Sequence, residues 1–499
     1  MGSMNLPVKT PRSLMSKVPA AAQIRADVLA GLVVALALIP EAIAFSLIAG
    51  VDPRVGLYAS FVMAVSIAFL GGRPAMISAA TGAMALVVAP LSLEYGVDYL
   101  IAATILAGLF QVALGLLGVA KLMRFVPPSV MTGFINALAI LIFLAQLPHL
   151  AGAGVPIYVM VAIGLGIIFG LPLLTKAVPA PLVAIVVLTV GALALGIPAH
   201  TVGDMGELPS TVPVPLIPDV PLTLDTLALI APYALTLALV GLMESLMTAK
   251  VVDDQTETRS NHAREARGQG IANVLVGFFG GMAGCAMIGQ TMINVKSGAR
   301  TRISTFLAGV FLLVLCVALG DIVGMIPVAA LVAVMFFVAI VTFDWHSVAP
   351  GTLKRMPWTE TLVMVVTVAV VVWTHNLALG VIVGVIVSMV LFARKAAMQA
   401  NVTSVLDPEG GTRVYSVHGE VFFASTGELV NRFDYAEKDL TKVVVDMSGS
   451  HVWDSSAVAA LDQVTEHFRR HGVEVEITGM NKPSAHLHKE LSGTLVGGH

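Results

Sequence analysis

Residues 31–50 read GLVVALALIPEAIAFSLIAG, an apolar run with one charged side chain, Glu41, and one proline, Pro40. Such a run is long enough to cross the hydrocarbon core of a bilayer as a helix, which takes roughly 20 apolar residues. Lys9, Arg12, Lys17 and Arg25 lead straight into it with no cleavage-type segment between, so it reads as a first membrane span and not as a removable signal. Pro40 removes the amide that would bond the carbonyl of Leu36, and Phe45 lies one turn beyond Glu41 on the same helix face. A carboxyl group halfway along a span costs about 3 kcal/mol or more, so it faces a polar cavity, holds a proton or cation, or pairs with a base.

The rest of the chain has the same character. It has 499 residues, 57% hydrophobic and 12% charged, with a net charge of −3 and a mean hydropathy of +0.90. A soluble chain of this length needs far more charge to cover its surface. Apolar segments run about 28–48, 54–70, 98–119, 128–147, 155–174, 178–196, 226–250, 303–320, 326–343, 359–375 and 377–393. Three more, about 76–92, 268–283 and 286–298, are shorter or richer in glycine and polar residues, and together they predict fourteen spans. Basic residues follow the even spans: Arg73, then Lys121 and Arg124, Lys176, the Lys250–Arg267 group, Lys296 with Arg300 and Arg302, Lys354 with Arg355, and Arg394 with Lys395. Odd connections carry only Arg54. Basic loops stay cytoplasmic, so both termini are expected inside. Residues 207–221 hold five prolines and are expected as an extended external loop.

Glu244 is the second acid expected deep in a span, with Thr248 on its face. It stands about two hundred residues after Glu41, and the Ala79-Ala80-Thr81-Gly82-Ala83 stretch of the third span has a counterpart in Gly284 through Thr291 of the tenth, which includes Gly289. Seven spans per half place the halves in opposite orientations, and inverted repeats with Gly-interrupted segments mark a transporter's midplane site. Half-helices beginning near Thr81 and Gly289 would aim free amides and positive dipole ends at one point, a site for an anion without a basic side chain. Glycines there also serve simple close packing. Cys285 and Cys316 read as small core residues, and His149 and His375 as solvated span ends. No metal cluster, nucleophile triad or nucleotide loop is present, so no catalytic residue, metal or cofactor is expected, nor a nucleic-acid partner.

From about Gly411 charges become frequent and apolar runs shorten. Arg413–Phe423, Val443–Val445 and Val473–Thr478 read as strands and Ala457–Arg470 as a helix, a small α/β domain. The expected division is 1–3 an expression scar, 4–25 a cytoplasmic segment, 26–396 the membrane domain, 397–411 a linker and 412–499 the α/β domain.

Ile39-Pro40-Glu41-Ala42-Ile43-Ala44-Phe45, with Asp52-Pro53, Gly56-Leu57-Tyr58, Asn294 and Gly298-Ala299-Arg300-Thr301, resembles the sulfate-permease (SulP) anion carriers. The resemblance implies a core domain of spans 1–4 and 8–11 and a gate domain of spans 5–7 and 12–14. It places the anion among Glu41, Phe45, Thr81, Gly82, Ala83, Glu244, Met287, Ile288, Gly289 and Gln290, with elevator-like movement and a homodimer. Many members have Gln at the Glu41 position and Arg at the Gln290 position. Without that Arg an anion needs neighbouring carboxylates neutralised. The expectation is therefore proton–anion symport through Glu41 and Glu244, with Na⁺, held by Glu244 and Thr248, as the competing ion. The bacterial members most resembled include proton-coupled carriers of fumarate-like dicarboxylates, while sulfate, bicarbonate and chloride carriers also belong to the family. The expected location is the bacterial inner membrane.

Val445-Asp446-Met447-Ser448 leading to Asp454-Ser455-Ser456-Ala457 resembles a STAS domain. Asp454 or Ser455 suits a helix N-cap. The resemblance implies phosphorylation of Ser455 or Ser456 and a cytoplasmic regulator as partner. Competing classes are a nucleobase symporter, a passive anion channel and a membrane sensor. The STAS tail and the Pro40–Phe45 stretch argue against the first, and Glu41 in a permeation path opposes the second.

Overall fold

The computed structural model describes residues 20–118, 126–175, 179–398, 400–407, 411–437 and 440–493. The expression scar, Lys9, Arg12, Lys17, Lys121, Arg124, Lys176, part of the 397–411 segment and the last six residues lie outside them. The chain divides into two compact units, Met1–Gly384 and Val385–His499.

The first unit begins with α1 (Ala20–Ile48), α2 (Pro53–Leu70), β1 (Ser78–Ala80), α3 (Gly82–Tyr95), α4 (Val97–Leu116), α5 (Pro128–Leu150), α6 (Val155–Leu174) and α7 (Ala180–Leu195). After the short α8 (Val202–Met205) follow α9 (Leu224–Thr256), α10 (His262–Phe278), β2 (Gly284–Ala286), α11 (Ile288–Lys296), α12 (Arg302–Ala318), α13 (Gly320–Gly324), α14 (Val328–Thr342), α15 (Pro350–Arg355), α16 (Trp358–Thr374) and α17 (Leu377–Ala397). Seven of these are long and apolar enough to cross a membrane, and five more are apolar helices of 10–17 residues. With α10 and α11, a helix stands at each of the fourteen predicted segments. Helix α1 runs on through Pro40, so the proline interrupts its hydrogen-bond ladder without ending it. Helix α2 starts where Asp52-Pro53 sets the proline at its first turn, where a missing N–H is harmless.

The helices pack in two groups. One gathers α1, α2, α3, α4, α9, α10, α11 and α12, and the other gathers α5, α6, α7, α14 and α16. They meet along α1–α14, α3–α5 and α1–α7. The α4–α10 pair owes its closeness to two facing glycines. A Cβ on Gly108 would lie 2.6 Å from the Gly270 carbonyl oxygen, and one on Gly270 would lie 2.7 Å from that of Gly108.

The 207–221 segment forms neither helix nor strand and is held by side chains and backbone. Tyr58 donates to the Thr211 carbonyl at 3.0 Å, Leu216 N–H to the Phe278 carbonyl at 2.7 Å, and Arg54 pairs with Glu207. That pairing gives the lone odd-loop arginine its local role.

In the second unit β3 (Asn401–Leu406), β4 (Thr412–Val421), β5 (Lys442–Val452) and β6 (Glu474–Thr478) form one sheet in that order, β3–β4 antiparallel and the rest parallel. It is accompanied by α18 (Thr426–Asn431), α19 (Ser455–Arg470) and α20 (Lys482–Leu491). The expected linker 397–411 needs correction, because residues 401–406 are the sheet's edge strand, with Asn401 opposite His418 and Leu406 opposite Arg413. Its mostly exposed side chains hid it, since an edge strand shows little apolar alternation. The core is built from Val417, Val443, Val445, Val458, Leu461 and Phe468.

Candidate functional site

In the membrane unit the third and tenth segments each begin as a short strand and continue as a helix. Strands β1 and β2 pair antiparallel, Ser78 opposite Ala286, Ala79 opposite Cys285 and Ala80 opposite Gly284. Helices α3 and α11 therefore leave this two-stranded ribbon in opposite directions, and both present their N-termini to it. The first amides of α11, those of Ile288, Gly289 and Gln290, have no intrahelical acceptor. At α3 the Thr81 side chain caps the helix by accepting from Met84 N–H at 3.4 Å.

A ribbon of two strands leaves its outer backbone groups unpaired, which is untenable at membrane depth unless side chains satisfy them. Asn273 does so for Gly284, accepting from its N–H at 2.8 Å and donating to its carbonyl at 3.0 Å. Ala286 N–H donates to Ser245 Oγ at 3.1 Å, Ile77 N–H to Thr291 Oγ1 at 2.9 Å, and Ala80 N–H to Ser60 Oγ at 3.3 Å. Gln269 donates to Ser78 Oγ at 2.7 Å. These polar residues form a cradle that sequence reading missed. Its signal was present as Gln269 and Asn273, one turn apart on one face of α10.

Beside the ribbon opens a cavity of about 550 Å³. Of the expected substrate-site residues, Glu41, Phe45, Thr81, Gly82, Glu244, Met287, Ile288, Gly289 and Gln290 all line it. Ala83 and Thr248 do not. Ala83 is fully buried in the core, and the Thr248 hydroxyl is turned to backbone, donating to the Glu244 carbonyl at 2.8 Å and lying 3.4 Å from that of Ala286. The opposite wall comes from the second helix group and is apolar, with Phe134, Leu138, Ile142, Val334 and Phe337.

Among the described residues three ionisable side chains line the cavity: Glu41, Glu244 and Lys296. Among the described residues neither glutamate forms an ion pair. Glu41 interacts with the Gln290 side chain. Glu244, 9% exposed, accepts from Cys285 Sγ at 2.7 Å. Cys285, expected as inert filling, is thus a polar partner of the site. Lys296 was counted only among the basic loop residues, but it shares the cavity-facing stripe of α11 with Gly289 and Ile293.

Two further buried acids escaped the sequence because they lie just outside the predicted apolar segments 28–48 and 268–283. Asp27 accepts from Arg300 N–H at 3.0 Å and from the Thr301 hydroxyl at 2.7 Å. Glu265 accepts from the N–H groups of Gly72 and Arg73, at 2.6 and 3.2 Å. Both pin connections and lie outside the cavity lining. In the second unit Asp454 is the N-cap of α19, accepting from Ala457 N–H at 2.9 Å, and Ser455 and Ser456 are exposed at that helix start.

Comparison with known proteins follows the same lines. The sulfate permease family profile matches residues 24–158 and 153–367, and the STAS domain profile matches 404–492. YbaR of Bacillus subtilis strain 168, which carries a provisional sulfate-transporter name, is 54% identical over 469 residues, 94% of this chain and 97% of its own. The transmembrane domain of a cyanobacterial bicarbonate transporter, BicA, superposes with a TM-score of 0.62 at 26% identity, covering 73% of this chain and 97% of that one. Murine Slc26a9, an anion transporter solved in an inward-facing state, shares the fold with a TM-score of 0.81 at 17% identity, covering 97% and 90%.

Proposed function

This chain belongs to the sulfate permease family of anion transporters and carries a C-terminal STAS domain, and on that footing we propose that it imports a small dicarboxylate such as fumarate together with protons. The observation that carries the reading is the pair of carboxyl side chains, Glu41 and Glu244, flanking two helix N-termini in one cavity, with no cation paired to either among the described residues. Backbone dipoles favour an anion there, while two ionised carboxylates would repel it. Proton uptake removes that repulsion and ties the two fluxes together. The apolar wall of Phe134, Ile142, Val334 and Phe337 suits an anion with a carbon skeleton better than a compact, strongly hydrated sulfate.

The two helix groups are the bodies of an elevator-like movement, with the ribbon on the moving one and the cavity between the two. The cavity reaches Pro179–Leu182, Lys296 and Thr342, beside connections that carry Lys or Arg. By the charge rule those connections are cytoplasmic, so the cavity opens inward. The same rule sets both termini in the cytoplasm of a bacterial cell; family membership supports a homodimer in its inner membrane, and the exposure of Ser455 and Ser456 supports their phosphorylation and a cytoplasmic regulator.

The test is uptake of labelled fumarate, sulfate, bicarbonate and chloride into proteoliposomes under imposed proton or sodium gradients. A proton gradient alone is expected to drive fumarate accumulation, and Glu41→Gln and Glu244→Gln to abolish the drive while leaving exchange down a substrate gradient. A sodium-driven bicarbonate flux indifferent to the proton gradient would replace this reading. The likeness to BicA favours that second reading, whereas the Thr248 hydroxyl, turned to the Glu244 carbonyl, does not support it.

A further inference from the structure

Three side chains from three separate elements make an unbroken polar chain behind the cavity. Glu244 of α9 accepts from Cys285 of β2 at 2.7 Å, and Cys285 lies 3.2 Å from Thr81, the N-cap of α3, where either atom can donate. Glu244 and Thr81 line the cavity, while Cys285 is fully buried and does not. Thr81 also interacts directly with Glu244, so the buried thiol is one of two links between groups that both face the substrate space.

The direction of this chain depends on one proton. An ionised carboxylate only accepts. The thiol proton then points at Glu244, and the sulfur accepts from Thr81, whose single hydroxyl proton is turned inward. When Glu244 takes up a proton from the aqueous phase, its O–H donates to the sulfur. The thiol proton swings to Thr81 Oγ1, and the Thr81 hydroxyl proton is freed toward the cavity. One O–H bond forms, at Glu244, and every other change is a rotation.

We propose that the Thr81–Cys285–Glu244 chain couples protonation to anion binding by reversing its hydrogen-bond direction, so that Thr81 offers the anion a donor only when Glu244 is protonated. This rests on the proton-coupled reading above and supplies its internal linkage. Other ionisable groups on the neighbouring elements do not complete such a chain. Glu41 of α1 interacts with Gln290, and Lys296 of α11 lies across the cavity lining. Glu265 of α10 is bound to Gly72 and Arg73, Asp98 of α4 to Asp219 N–H, and Glu94 and Tyr95 of α3 stand at its far end.

The experiment is equilibrium binding of labelled fumarate and sulfate to the full-length protein in proteoliposomes, at about pH 6 and about pH 8, beside a melting curve for each variant. The wild type binds more tightly at the lower pH. Cys285→Ala is expected to lose about tenfold of that preference, the scale of one hydrogen bond to a charged ligand. Cys285→Ser keeps a donor and acceptor in place and retains the preference. Thr81→Val loses as much as Cys285→Ala, and the double variant no more than either. Full low-pH preference in a folded Cys285→Ala protein whose Glu244→Gln counterpart has lost it would overturn the chain, as would additive losses. Preference persisting in Glu244→Gln would instead remove Glu244 from proton coupling altogether, and the chain with it.

Discussion

Gly284→Ala is the sharpest test of the ribbon as the device that holds two helix N-termini on one anion. A Cβ at Gly284 would lie 2.5 Å from the Ala79 carbonyl oxygen and 2.8 Å from Met63 Cγ. The first neighbour is backbone and cannot swing aside. Since Cβ contacts inside 3.0 Å do not occur, β2 must withdraw from β1 by at least about 0.5 Å. That movement stretches the Asn273 bonds, now 2.8 and 3.0 Å, and carries the start of α11 away from the start of α3. Overpacking of this kind costs about 1–3 kcal/mol of stability. Losing the aim of one amide on a charged ligand costs about 1.5–3 kcal/mol of binding, roughly a ten- to hundredfold rise in KM. Gly289→Ala is the paired control, because nothing lies within 4 Å of a Cβ there. It should melt at or above the wild-type temperature, alanine being the better helix former by about 1 kcal/mol. Its methyl nonetheless enters the cavity proposed for the anion, so uptake is expected to fall. Proteoliposome uptake and thermal melting in detergent are measured together. Wild-type KM in Gly284→Ala, or marked destabilisation by Gly289→Ala, would refute the geometry.

Gln290→Arg places a guanidinium against Glu41, an attraction of about 4 kcal/mol at 4 Å in a medium of effective dielectric about 20. It should hold Glu41 ionised and flatten the pH dependence of fumarate KM; an unchanged pH profile would show that Glu41 does not titrate during transport. Glu265→Ala strips the acceptor from Gly72 and Arg73 N–H and should lower stability by about 2–4 kcal/mol, read as a drop of several degrees in Tm, whereas a shift under one degree would show water replacing the carboxylate. In the STAS domain, burial, with a smaller effect of Tyr415, pushes the Tyr435 hydroxyl up to about 12, and that hydroxyl donates to the Val430 carbonyl at 2.7 Å. A folded value above the unfolded one near 10 means that this stabilisation is complete below about pH 10 and is lost as pH rises toward 12. The tyrosinate absorbance of wild type minus Tyr435→Phe should titrate near 12, and a difference curve centred at 10 would contradict it.

Much of the molecule was legible in one dimension because its solvent imposes a simple rule. In lipid a segment must be long and apolar and must satisfy its own backbone, so length, hydropathy and loop charge expose the fourteen segments. Glu41 and Glu244 stood out for the same reason, as rare acids in apolar runs. Strand β3 did not, because its mostly exposed side chains carry no alternation. Asp27 and Glu265 lay at segment ends, where an acid is unremarkable.

What the sequence determined alone is therefore the membrane class, the segments, the two suspect carboxyls and the soluble domain that follows them. Only the tertiary structure decided which groups those carboxyls meet. Cys285 became a bridge because the pairing of β1 with β2 brings Thr81 within reach of its sulfur while α9 brings Glu244 to its other side. Lys296 joined the cavity because helical pitch stacks it on the stripe of Gly289. Hydropathy measures each residue against lipid or water, whereas a hydrogen bond between residues some two hundred positions apart depends on how two chain segments cross, and that crossing exists only once the chain has folded.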